Sequence, residues 1–323
     1  MISPKKVIYT ALVAFQAGIL VTGGAVRLTG SGLGCPTWPE CTPGSYTPVP
    51  HQAQGRLHSW IEFGNRLLTF VLIISIIAAV IGVIRWRRQY ADRKPIIWLA
   101  IAQLLGVVAQ IVLGGITVLT HLNPATVGAH FLLSIVLLSA SLSLRQRMLE
   151  KPRFFLSQTT TVLTRLLVGL TALVLLVGTV VTGSGPHAGD IQARRYHLDP
   201  RTISWLHADL VIALVALTFA LLLLLKVSQV AKVSEVADVA DVADVAKTSP
   251  RSDIFEDETQ RSLVMKQATL FFFVCLSQGL IGYIQYFTGL PEALVAAHLL
   301  GADLVWLGIW NLAFTGKVFA RRH

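Results

Sequence analysis

The chain has 323 residues, 54% of them hydrophobic and only 14% charged, with a mean hydropathy of +0.64. That balance fits a membrane-embedded chain and argues against a soluble globule. The formal net charge of +10 suits anionic lipid, but no nucleic-acid-binding motif accompanies it, so no nucleic-acid partner is expected.

A helix needs about 20 apolar residues to cross a bilayer. Eight runs qualify in chain order: 7–26, 59–84, 96–119, 127–144, 162–181, 203–225, 268–287 and 294–314. The first ends in VTGGAVRLTGSG without a small-residue cleavage site, which predicts a retained helix and not a signal peptide. Most of the 27 Lys and Arg fall in RWRRQYADRK, RQRMLEKPR, the segment after the sixth run and the two ends. The expected topology therefore has both termini cytoplasmic.

The first external loop, GSGLGCPTWPECTPGSYTPVPHQAQGR, carries Cys35 and Cys41, which an oxidising compartment would let pair as a disulfide. A structural bridge is expected, with a redox-active pair as the alternative. Cys275 stands alone in an apolar run and reads as a small buried hydrophobe.

The second run opens on WIEFGNR, which places Glu62 and Arg66 in a lipid-embedded segment. At i, i+4 they can form an ion pair, and Arg66 can alternatively hold an anionic ligand group. The later segment KVSQVAKVSEVADVADVADVAK repeats valine every third residue, a period of neither strand nor helix, and RSDIFEDETQ follows it. Residues 227–266 are read as a cytoplasmic low-complexity linker.

The chain repeats internally. QIVLGGITVLTHLNPATVGAH from Gln110 and QGLIGYIQYFTGLPEALVAAH from Gln278 share Gln, Gly, Thr, Leu and His at one constant offset. A four-helix unit is therefore duplicated in one orientation. The N-terminal half is 1–150, and the C-terminal half is 151–226 with 267–323.

His58, just before the second run, and His130, His207 and His298, early in the fourth, sixth and eighth, are each expected in the first turn or two of an even-numbered helix, at the external end. Ionisable groups inside a membrane are costly and usually functional. Two facing imidazoles offer too few ligands for zinc but suit heme iron, whose flat apolar macrocycle fits where small residues such as Gly114, Gly115, Gly279 and Gly282 make room. Two porphyrin sites are expected, one per half.

With these residues in view the chain resembles the heme A synthase family over nearly its whole length. The resemblance rests on the eight runs in two tandem halves, one histidine per even helix, the paired cysteines, and an acidic residue in helix two within an E-x-x-H-R pattern. Here that pattern reads Glu62, Phe63, Gly64, Asn65, Arg66, with Asn65 where the family has histidine. The resemblance implies an all-α multi-pass protein of a bacterial-type cell membrane that oxidises a methyl of heme O to the formyl of heme A, for terminal oxidases. It implies Glu62 as the residue needed for turnover and a substrate heme in the N-terminal half. His130 is expected to hold that heme together with His58, which shares a helix face with Asn65 two turns on and stands in for the missing histidine, and Asn65 and Arg66 complete the expected substrate-heme-binding set. His207 and His298 would ligate the iron of a resident heme b. Oxygen would come from molecular oxygen or water. Heme O synthase, an electron donor, membrane lipid and a second copy of the chain are the expected partners. A diheme b-type cytochrome for quinol-linked electron transfer, or a transporter with histidine proton relays, are the alternatives.

Overall fold

The computed structural model describes residues 3–190, 193–240 and 251–319. Its eight helices are α1 (Pro4–Leu28), α2 (Arg56–Trp86), α3 (Lys94–Leu119), α4 (Pro124–Met148), α5 (Gln158–Ser184), α6 (Pro200–Ala240), α7 (Arg251–Phe287) and α8 (Glu292–Thr315). All eight are long and apolar enough to cross a membrane, so the protein is a multi-pass, all-helical membrane protein. Each expected run lies inside one helix. Helix α6 continues to Ala240 and α7 starts at Arg251, both within the segment read as linker, and 241–250 lie outside the described residues.

Local chemistry sets the helix starts. Asn123 Oδ1 accepts from the Ala125 N–H at 3.0 Å with Pro124 at the first helical position, so α4 begins there and His130 falls in its second turn. Asp199 caps α6, accepting from the Thr202 N–H at 2.9 Å and the Thr202 hydroxyl at 2.6 Å, which holds its carboxyl below the usual range. His298 also falls in a second turn and His207 just past one, whereas His58 lies in the first turn of α2 and Asn65 in its third.

The helices pack as two related sets. Helix α1 meets α2, α4 and α8; in the same way α5 meets α6, α8 and α4. Likewise α2–α3 and α3–α4 in one half match α6–α7 and α7–α8 in the other. Across the middle, Trp306 and Trp310 Nε1 donate to the Ser139 and Ser143 hydroxyls at 2.7 and 2.9 Å, and Gln146 bonds Asn311. These contacts advance together along both chains, so α4 and α8 run parallel, as a tandem duplication in one orientation requires. Wide strips of Leu, Ile and Phe stay exposed on α2, including Phe70, Ile74, Ile77 and Ile81, as lipid-facing surfaces do.

Candidate functional site: two histidine pockets and a docked disulfide loop

The C-terminal half carries the plainer site. His207 of α6 and His298 of α8 face each other with ring centroids 6.4 Å apart. Each ring lies edge-on to a glycine of the preceding helix. A Cβ on Gly178 would stand 3.3 Å from His207 Cε1, and one on Gly282 would stand 3.3 Å from His298 Cε1. His298 Nδ1 is buried with no hydrogen-bond partner. Two imidazoles bound to opposite sides of one metal at about 2 Å would have centroids roughly 6 Å apart, so the pair fits a shared iron. Among the described residues no cluster of three or more His, Cys, Asp or Glu would suit a bare metal ion.

The N-terminal half reproduces part of this arrangement. His130 stands against Gly114 at the same 3.3 Å, its Nδ1 buried and unpartnered, and Gln110 Nε2 donates to the His130 carbonyl at 3.1 Å and to the Ser134 hydroxyl. Among the described residues no ring contact joins a second imidazole to it, unlike His207 and His298. His58 is instead tied to Ser31 by a 2.9 Å hydrogen bond at Nδ1, which leaves Nε2 as the nitrogen open to a ligand. Asn65 is half-buried, with a buried Oδ1 that has no partner.

What the N-terminal half has in addition is a buried charge pair bolted to the loop between α1 and α2. Glu62 is only 6% exposed. Its Oε2 accepts the Cys35 N–H at 2.7 Å, and its Oε1 takes two bonds from Arg66, from Nη2 at 2.7 Å and Nε at 3.2 Å. The same guanidinium donates to the carbonyls of Cys35, Thr37 and Glu40 at 2.8, 3.1 and 3.2 Å. Arg66 thereby serves Glu62 and the loop together, through Nε, Nη1 and Nη2. Cys35 and Cys41 form a disulfide with both residues fully buried, and Cys275 is free and buried.

Two close approaches seat the loop. A Cβ on Gly34 would lie 2.3 Å from the His58 carbonyl oxygen, so only glycine lets the loop lie against the start of α2. The Trp38 ring rests on Gly115 of α3, beside the glycine that backs His130. The loop thus bridges α2 and α3 above the pocket. Sequence reasoning found Glu62, the cysteines and the histidines and read Trp38 as an interfacial aromatic; it missed Ser31, Gly178 and the seat of Trp38 on Gly115, which no local pattern signals.

The sequence pattern of the cytochrome oxidase assembly protein family matches residues 6–192, from α1 through the end of α5. The chain belongs to that family. It is similar to the heme A synthase of Geobacillus thermodenitrificans, 36% identical over 118 residues that make 36% of this chain and 32% of that protein. The heme A synthase of Geobacillus kaustophilus is 37% identical over 113 residues, 35% of this chain and 32% of the relative. That of Lysinibacillus sphaericus is 30% identical over 125 residues, 38% of each chain. The matched stretch spans about a third of the length of these relatives. The family match includes Glu62, Arg66, His130 and both loop cysteines, while His207 and His298 lie beyond it.

Proposed function

We propose that the protein is a membrane heme A synthase, which oxidises the C8 methyl of heme O to a formyl group by successive hydroxylations and so supplies heme A to terminal oxidases. The observation that carries this reading is the unequal equipment of two otherwise matching halves. One half has an imidazole pair at iron-bridging separation. The other has a single imidazole backed by glycine, together with a buried carboxylate held at both oxygens. An electron carrier would want two closed pairs; a half that must admit and alter a porphyrin needs room and a polar group near the reacting carbon.

In this reading His207 and His298 hold heme b, which when bound supplies one-electron redox chemistry. His130 and His58 hold the substrate heme O through iron, and Asn65 is a hydrogen-bonding neighbour. The methyl-to-formyl change is two two-electron oxidations followed by loss of one water. With molecular oxygen as the source, each oxidation takes up two electrons and two protons and releases water. With water as the source, each gives up two electrons and two protons. Protons cross the site either way, and Glu62 Oε2, aimed by Arg66 and by the Cys35 N–H, is the group that holds or passes them. The loop excludes water from above.

The proposed setting is a bacterial-type cell membrane with cytoplasmic termini, a heme O synthase as source of substrate, and an electron donor at the outer face. Acid-acetone extraction of pigment from the purified chain tests the reading. A mixture of hemes B, O and A is expected, and Glu62→Gln should retain heme O while losing heme A. Heme B alone in the unaltered chain would refute the synthase in favour of a diheme carrier.

A further inference from the structure

Arg27 is an interior-facing cation with no task in the reaction described above. It lies on the face of α1 that carries Leu20, Gln16 and Tyr9, seven, eleven and eighteen residues earlier, spacings that return to one side of a helix. Tyr9 and Gln16 are buried; the Tyr9 hydroxyl donates to the Ala79 carbonyl of α2, Leu20 packs on the core cluster that includes Ile135 and Leu138 of α4, and Arg27 lies against His187 and Gly189 of the α5–α6 loop, so this face is an interior one that borders the N-terminal half. Arg27 sits at its outer end, one turn before the serine that bonds His58.

Its hydrogen bonding is incomplete. Nη2 donates to the His187 carbonyl at 3.0 Å, whereas Nε is buried without a partner. The ion pairs among the described residues are Arg66 with Glu62 and Arg147 with Asp92, and neither includes Arg27. A guanidinium drawn out of water and given one neutral acceptor is costly unless an anion completes it, and its planar fork suits a carboxylate. A heme carries two propionate carboxylates on one edge; near this end of the half Arg66 is engaged by Glu62 and the loop carbonyls, and Arg56 is exposed at the start of α2. We infer that Arg27 binds a propionate carboxylate of the porphyrin substrate at the outer end of the N-terminal half. The inference rests on the heme O reading of that half and adds to it the residue that orients the ring edge.

The test reads binding. The purified full chain is first saturated at one site with ferric protoporphyrin IX. The second equivalent is then titrated by Soret absorbance, either with the same diacid or with its dimethyl ester, which keeps iron and ring but removes the anions. The unaltered chain should prefer the diacid by about tenfold, the size expected for one charge-assisted contact. Arg27→Gln should abolish the preference with ester affinity unchanged, and Arg27→Lys should keep part of it. Undiminished diacid preference in Arg27→Gln overturns the assignment. Equal loss of diacid and ester binding also overturns it, because Arg27 would then be shaping the pocket and not holding an anion. Failure of the unaltered chain to bind a second equivalent of either probe overturns the heme O reading itself.

Discussion

Replacing Arg66 with Gln should release the disulfide loop, and the structure sets the size of the effect. The guanidinium gives Glu62 its counter-ion and supplies hydrogen bonds to three loop carbonyls. Breaking a buried pair by removing one partner costs about 3–5 kcal/mol. The Arg66 side chain is 22% exposed, and Gln keeps one donor, so a loss of about 2–4 kcal/mol is expected here. The partner variant Glu62→Gln should cost less, since Arg66 keeps its loop carbonyls. The double variant should be more stable than the sum of the two losses by at least about 1 kcal/mol, because no uncompensated charge remains. Thermal unfolding of the detergent-solubilised protein, with limited proteolysis of the loop run alongside, measures all four corners of this cycle. Additive losses, or an Arg66→Gln protein that unfolds as the unaltered one does, would show that the pair does not hold the loop.

Further outcomes follow from other parts of the chain. His298→Ala should insert and fold yet lack a low-spin bis-histidine heme spectrum, and unchanged heme b content would remove His207 and His298 as a ligand pair. Mapping under non-reducing conditions should find the Cys35–Cys41 bridge; Cys35→Ser should cost about 2 kcal/mol, as expected for so short a closed loop, and thiols that label freely in the intact protein would refute the bridge. Asp303 of α8 is 1% exposed with both carboxylate oxygens unpartnered, so Asp303→Asn should leave thermal stability unchanged or raised, and a loss above about 2 kcal/mol would refute the absence of a partner. The Asp199 cap has its folded-state pKa depressed, so its contribution is present above the unfolded value near pH 4 and lost as pH falls through the folded one. The protection of amides in the first turn of α6, meaning exchange relative to an unfolded chain at the same pH, should therefore fall below about pH 4, and protection that does not change with pH would exclude the cap.

Much of the architecture was legible from residue order alone. Eight apolar runs of membrane length can become only helices in hydrocarbon, because each backbone N–H and C=O must be satisfied within its own segment. The repeat from Gln110 and Gln278 has a counterpart in the packing: Gly114 backs His130 as Gly282 backs His298. The helix limits around the polar segment were not legible. Valine at every third residue gives no amphipathic face, yet backbone hydrogen bonding carries α6 on to Ala240.

The site was readable as a set of residues and not as an arrangement. Glu62 and Arg66 four apart on one helix must meet, so their pairing belongs to the sequence. That Arg66 spends its other donors on the carbonyls of Cys35, Thr37 and Glu40, that Trp38 settles on Gly115, and that His58 turns to Ser31 depend on a loop folding back across α2 and α3. Local periodicity carries no information about such contacts, because they join segments whose separation along the chain is unrelated to their separation in space. The 6.4 Å between His207 and His298 is of the same kind: the sequence placed both rings near the starts of their helices, and only the packing of α6 and α8 against their glycine-bearing neighbours brought them to the separation that one iron would span.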